Sequence, residues 1–234
     1  LKEALQQEKI ISEMKSAFVS MASHEFRTPL TSILSSTILI EKYNDLKENT
    51  KVGKHVERIK SSVNQLTNIL EDFLSMEKLE RGIVTTSKET FDLKAFITDT
   101  IEESERMLKE TQNINYIQKS PIEVFMDKKI LRNVLLNLIS NATKYSHTDI
   151  QIRASLNKDI LNIDIEDKGI GIPEDEHKHL FTKFFRAKNV TNIQGTGLGL
   201  SIVKHYVDLL EGTIAFSSKL GEGSTFKLML PLHT

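Results

Sequence analysis

The chain has 234 residues, 39% hydrophobic and 27% charged, which is the balance of a soluble globular protein with room for one large or two ordinary domains. Its 31 basic and 32 acidic residues leave a formal net charge of -1, which argues against a nucleic-acid partner and against a polybasic membrane contact. Cysteine is absent, so disulfides and thiolate metal sites are excluded, and no run approaches the roughly 18 apolar residues of a membrane span. No secretory signal is visible, and the chain opens at Leu1 in a helix-like pattern. A fragment of a longer protein is therefore expected, with any membrane anchor in the missing part.

Up to Gly82 the sequence is rich in helix formers. Val19, Ala22, Phe26, Leu30, Ile33, Thr37 and Ile40 recur at steps of three or four and predict a first helix. Val52, Val56, Ile59, Val63, Leu66, Leu70 and Phe73 repeat the pattern with alternating steps of four and three, predicting a second helix of heptad type. The polar run Asn44–Thr50 between them reads as a hairpin loop, and Gly82 as the C-terminal cap of the second helix. Two such helices cannot bury both stripes against each other alone. A pair of hairpins forming a four-helix bundle can, so a homodimer is the economical expectation; the alternative is a hairpin packed on the rest of its own chain.

From about Ile83 helix and strand signals alternate. Asp92–Met107 and Asp127–Tyr145 read as helices. Ile150, Ile152 and Ala154, then Leu161, Ile163 and Ile165, alternate with polar residues as half-buried strands. Pro173 followed by Glu174, Asp175 and Glu176 reads as a helix start. Leu198–Leu210 reads as a helix ended by Gly212, and Thr213–Ser217 and Ser224–Leu230 as a strand pair around Gly221–Glu222–Gly223. Several antiparallel pairs, not strict βαβ repetition, predict an α/β sandwich.

Two regions carry candidate chemistry. In the first helix, Ser23–His24–Glu25–Phe26–Arg27–Thr28–Pro29–Leu30 puts His24 about 160° from Phe26, pointing to solvent with Thr28 on the same face. Pro29 removes one helical hydrogen bond and is expected to bend the helix. A zinc site of H-E-x-x-H type is excluded because Thr28 stands where the second histidine belongs. Alone, an exposed helical histidine is most simply a surface residue.

The second half supplies four segments. Asn137 and Asn141 share a helix face with Lys144 close by, suited to hard Mg²⁺ and phosphate charge, or else simply a polar stripe. Asp167–Lys168–Gly169–Ile170–Gly171–Ile172–Pro173 ends a strand with a carboxylate able to accept an adenine amine and glycines that admit close backbone approach. Leu180–Arg186 reads most simply as amphipathic helix core, with Arg186 at its exposed end in reach of a γ-phosphate. Gly195–Thr196–Gly197–Leu198–Gly199–Leu200 runs into a helix as a phosphate nest, behind an aperiodic lid over 187–194.

The order and spacing of these segments carry a family resemblance. His24-Glu25-Phe26-Arg27-Thr28-Pro29-Leu30 resembles the phosphoacceptor box of sensor histidine kinases. The four later segments resemble the asparagine, first glycine, phenylalanine and second glycine boxes of the Bergerat-type ATP-binding domain. The resemblance covers the chain from about Ser16 onward. It implies a dimeric helical hairpin over residues 1–82 and an α/β two-layer sandwich over 83–234. It also implies that His24 attacks ATP, Glu25 handles the imidazole proton, Thr28 positions water for dephosphorylation, and Arg186 assists transfer. Mg²⁺ falls to Asn141 and adenine to Asp167 with Gly169, Gly171 and Ile172. Nucleotide contacts fall to Asn137, Lys144, Tyr145 and the loop Gly195, Thr196, Gly197, Leu198, Gly199 and Leu200. The implied partners are a second copy of the chain and a response-regulator receiver domain, and the implied location is the cytoplasm. One departure is His147–Thr148–Asp149, where the family usually has a proline and a glycine-containing turn.

Other readings fare worse. ATPases of the same nucleotide fold activate water with a glutamate four residues before the magnesium asparagine, and Asn137 stands there. V-A-I-K, H-R-D and D-F-G segments and a Walker A sequence are all absent. A catalytically dead dimeric scaffold would not need every candidate position filled by a competent residue.

Overall fold

The computed structural model describes residues 25–43, 49–190, 193 and 195–232. The chain divides into two compact units, Leu1–Glu77 with Ile193–Thr196, and Lys78–Asn192 with Gly197–Thr234.

In the first unit, helix α1 (residues 25–43) runs through a buried Pro29 without interruption. Helix α2 spans Asn49–Glu80. The expected loop therefore gives up Asn49 and Thr50 to the helix, residue types common at helix starts; residues 44–48 lie outside the described set. The apolar stripe expected of α2 divides, with Val52, Ile59, Leu66 and Phe73 half-buried and its remaining members exposed. His55, Ser62, Ile69 and Met76, seven apart, are buried, whereas Val56, Val63 and Leu70, one position on, are 36, 47 and 52% exposed. On α1, Pro29 and Ser36 are buried, while Leu30, Leu34, Thr37 and Ile38 are exposed. Leu30 and Thr37 thus leave the stripe expected to face inward. The reason is that the seam inside one chain is partly polar and leaves an apolar row on the outside. Where the helices meet, the Tyr43 ring stacks on His55 at 5.6 Å, with the Lys51 ammonium 4.9 Å over the Tyr43 ring.

At its far end α2 stops where the glycine signal placed it. Gly82 takes φ +63; its N–H donates to the Leu79 carbonyl and that of Ile83 to the Lys78 carbonyl, both at 3.1 Å. This is the paired hydrogen-bond pattern of a glycine-terminated helix.

In the second unit, strand β1 (Lys88–Asp92) pairs antiparallel with β3 (Glu123–Asp127) as a separate two-stranded sheet. Helix α3 (Leu93–Ser104) is capped by Asp92, which accepts the Ala95 N–H, and ends in a 3₁₀ turn at Glu105–Met107. Helix α4 (Lys128–Tyr145) starts at the buried Asp127. One Asp127 oxygen accepts the Lys129 and Ile130 amides at 2.9 Å, and the other accepts Ser87 N–H at 2.6 Å. One carboxylate thereby fixes both the incoming chain and the start of α4.

The main sheet has the order β2-β4-β5-β7-β6, formed by β2 (Ile114–Gln118), β4 (Ile150–Asn157), β5 (Ile160–Asp167), β7 (Gly223–Pro231) and β6 (Thr213–Lys219). The β2–β4 pair is parallel and the rest antiparallel. Ile150, Ile152, Leu161, Ile163, Ile165 and Leu228 are fully buried, and their alternation with exposed or half-buried neighbours leaves helices on one face only. This is the expected two-layer sandwich, with α3, α4 and α5 (Gly199–Leu209) as its helical layer.

Two expectations need correction. The helix starting after Pro173 is a 3₁₀ segment, Glu174–His179. Leu180–Arg186 forms turns instead of an amphipathic helix. Phe184 is the cause: it takes φ +63 and donates its N–H to the Gly197 carbonyl at 3.0 Å, and a right-handed helix cannot pass through that conformation.

Candidate functional site

The site of the second unit is built on α4. Its 3.6-residue repeat sets Asn137 and Asn141 on one half-buried face, where the Asn141 side-chain amide reaches the Asn137 oxygen at 3.5 Å. Asn137 also lies against the first residue of α5. A Cβ added to Gly199 would stand 2.6 Å from Asn137 Oδ1, so the two helices meet this closely only through glycine. One turn further, the Lys144 ammonium sits 5.2 Å over the ring of Tyr145. Burial raises the Tyr145 hydroxyl above its usual pKa, and the positive charge of Arg186 opposes that rise. Arg186 is thus placed beside Tyr145; it is half-buried, not exposed as expected, and donates to the Val190 carbonyl at 2.9 Å.

Asp167 ends β5 and is 7% exposed. Burial pushes its carboxyl up to about 6, although the backbone amides of Gly169 and Ser224 pull the other way; nearby Glu166 adds to the rise. The Gly169 N–H donates to Asp167 Oδ1 at 2.8 Å. Gly169 itself packs on α4, because a Cβ there would be 2.3 Å from the Tyr145 carbonyl oxygen, and that same oxygen accepts the Ile170 N–H at 3.2 Å. Gly171 offers its carbonyl to Asn189, and Ile172 gives its N–H to Ser218, both at 2.9 Å.

At the second glycine segment, Gly197 takes φ +69, Leu198 is buried, and Gly199 and Leu200 open α5. Leu198, at the N-cap of this helix, makes no side-chain cap bond, and no acid stands in the first turn. The orphan amides and dipole of a helix start attract anions, so the geometry suits phosphate. Gly195 and Thr196 cluster with the first unit, where the Thr196 hydroxyl donates to Asp72 at 2.9 Å.

The structure therefore brings together Asn137, Asn141, Lys144, Tyr145, Asp167, Gly169, Gly171, Ile172, Arg186, Gly197, Leu198, Gly199 and Leu200 in the second unit. His24 lies outside the described residues, as do parts of the expected lid. Glu25 is buried at 6% exposure and Thr28 is exposed, both on α1. Two contributors carried no sequence signal. Asn189 holds the Gly171 carbonyl, and the buried Glu176 accepts the Lys188 N–H with both oxygens at 3.2 and 3.1 Å. Glu176 was hidden in an acidic run that reads as an ordinary first turn. No grouping of three His, Asp or Glu side chains suited to a metal occurs among the described residues. The neutral amide oxygens of Asn137 and Asn141 are hard donors that fit Mg²⁺ sharing its shell with phosphate and water.

A helical hairpin joined to an α/β layer with an asparagine helix, a strand-end aspartate and a glycine-opened helix defines a nucleotide-binding protein with a separate helical unit. Comparison with known proteins agrees. The family of histidine kinase-, DNA gyrase B-, and HSP90-like ATPases matches residues 126–234, and the His Kinase A phospho-acceptor domain matches residues 14–82. The circadian input-output histidine kinase CikA of Synechococcus elongatus is 34% identical over 230 residues, covering 94% of this chain and 30% of that protein. The autoinducer 2 sensor kinase/phosphatase LuxQ of Vibrio parahaemolyticus is 30% identical, with 94 and 27% covered. The structure of Acinetobacter baumannii histidine kinase AdeS superposes with a TM-score of 0.68 at 25% identity, covering 90% of this chain and 98% of that one. The chain belongs to the sensor histidine kinases of two-component signal transduction, and it spans under a third of the length of these curated relatives.

Proposed function

We propose that this chain uses ATP to phosphorylate its own His24 and then donates the phosphoryl group to an aspartate of a response-regulator receiver domain. The observation that carries this reading is on α4. Asn137 touches Asn141 and α5 where an ATPase of the same fold would hold its water-activating glutamate, so the site has the parts to bind ATP without a base to hydrolyse it. Asn141 holds Mg²⁺, which neutralises phosphate charge when bound. Asp167 accepts the adenine amine, with Gly169, Gly171 and Ile172 shaping the loop around the base. Asn137, Lys144 and the Gly195–Leu200 segment hold the phosphates, Tyr145 lies near the nucleotide, and Arg186 meets phosphate and steadies charge in transfer.

Neutral imidazole is a nucleophile near pH 7, and the neighbouring Glu25 takes its proton. Thr28, exposed on α1, orients water for the reverse dephosphorylation; the kinase/phosphatase name of the LuxQ relative supports that second activity. The outward row Leu30, Leu34, Ile38, Val56, Val63 and Leu70 supports a homodimeric four-helix bundle, since isolated hairpins would leave it in water. We place the domain boundary at 82/83, after the Gly82 stop. No described helix is long and apolar enough to cross a membrane, and we assign the fragment to the cytoplasm, where ATP is available.

Incubation with γ-labelled ATP tests the proposal. The expected label is acid-labile, base-stable and lost in His24→Ala. Thr28→Ala retains the label and slows dephosphorylation of the regulator. A label that is acid-stable, or that survives His24→Ala, overturns the assignment.

A further inference from the structure

A helix ends with four carbonyls that its own amides cannot serve, and α4 ends at the residues assigned to phosphate and nucleotide. Two of those four carbonyls take their partners from the segment after α3. The Ala142 carbonyl accepts the Ser146 N–H at 3.0 Å. The Thr143 carbonyl accepts Gln112 Nε2 at 3.3 Å, and the Lys144 carbonyl accepts Lys109 Nζ at 3.4 Å. The Tyr145 carbonyl accepts the Ile170 N–H, and just beyond the helix Ser146 accepts both Lys109 Nζ and Gln112 Nε2, the latter at 3.1 Å.

Gln112 is 4% exposed and its oxygen is also used, accepting the Lys109 N–H at 3.0 Å while the Gln112 N–H donates to the Lys109 carbonyl at 2.9 Å. Lys109 and Gln112 thus form one clasp. It sets a positive charge and an amide against the negative end of the α4 dipole. No sequence motif marks either residue, and neither reaches the face of α4 that carries Asn137 and Asn141.

We infer that Lys109 and Gln112 are positioning residues for nucleotide binding, acting through the last turn of α4 to hold Lys144 and Tyr145 in place. The inference rests on the reading that Lys144 meets nucleotide phosphate. Losing the clasp frees carbonyls that must then find water, and the last turn frays first. Lys144 and the Tyr145–Ile170 hydrogen bond lie in that turn.

The test is a double-mutant cycle read by calorimetric titration of MgATP, with thermal melting of each variant recorded in parallel. Lys109→Met is expected to weaken MgATP about fivefold, and Lys109→Arg, which keeps a cationic donor, to stay within about twofold of the parent. In a Lys144→Ala background the effect of Lys109→Met should shrink to the part carried by Tyr145, because one of the two side chains it positions is gone. A general loss of stability would instead weaken binding by the same factor in both backgrounds and would overturn the inference. So would unchanged affinity in Lys109→Met. If Lys144→Ala leaves MgATP binding intact, the assignment of Lys144 to phosphate fails first and the inference with it. Gln112→Met, deep in the clasp, adds a check where it folds, and Lys109 at the half-buried edge keeps the test decisive where it does not.

Discussion

Asp167 offers a prediction in which stability and function move in opposite directions. Its carboxyl titrates at about 6 in the folded chain against 3.8 for an ordinary aspartate, and burial is the main cause. The folded state therefore holds this proton more tightly than the unfolded one. The resulting cost is absent below pH 3.8, grows between 3.8 and about 6, and is complete above that. The gap corresponds to about 3 kcal/mol at pH 7.5. Asp167→Asn removes the charge and also weakens one of the two backbone hydrogen bonds, worth about 1 kcal/mol. The variant is expected to be about 2 kcal/mol more stable at pH 7.5, or about 4–8 °C in melting temperature for a unit of this size. At pH 4 the advantage vanishes, because the parent is then protonated in the folded state. The same titration should govern the proposed base site. At pH 5 only about one molecule in eleven carries an ionised Asp167, so adenine nucleotides should bind about tenfold more weakly than at pH 7.5. The Asp167→Asn variant should bind weakly with no such dependence. Melting curves at the two pH values and MgADP titration decide the matter. A stability difference that is the same at pH 4 and 7.5 would refute the reasoning.

Other expected outcomes follow from single contacts. Gly199→Ala places a methyl group 2.6 Å from Asn137 Oδ1 and forces that side chain aside; melting should change by less than about 1 kcal/mol while MgATP affinity drops severalfold. Asp127→Ala removes the α4 cap and the Ser87 tether together, and denaturant unfolding should show a loss of about 2 kcal/mol. Val63→Glu with Leu70→Glu puts charges into the outward row of α2, and light scattering should then report monomers with the ATP site intact.

Much of this was legible in the residues because periodicity and glycine placement are local signals. The two hairpin helices, the stop at Gly82, the α4 face of Asn137 and Asn141, and the β5 end at Asp167 all follow from spacing alone. What escaped needed partners distant in sequence. The partly polar seam of His55 and Ser62 is one residue out of step with Val56 and Val63, so hydropathy selected the outward row and the half-buried Val52, Ile59, Leu66 and Phe73 but not the buried polar positions. The Leu180–Arg186 run has helical spacing, yet the Phe184–Gly197 hydrogen bond overrides it. Strands β1, β2 and β3 are each five residues long and pair with partners remote in the chain, too short for alternation to stand out.

The Tyr145 carbonyl, wedged against Gly169 and bonded to Ile170, joins the loop proposed to hold the base to the helix proposed to hold the phosphates. On the proposed assignment the two ends of a nucleotide are gauged by one joined piece of protein, in the manner of a caliper with a fixed opening. A ligand with the right base but the wrong span, such as adenosine extended by a longer spacer before its phosphates, would satisfy one jaw and miss the other. On that assignment discrimination by length comes with discrimination by base, and a substitution that loosens the joint is expected to relax both at once.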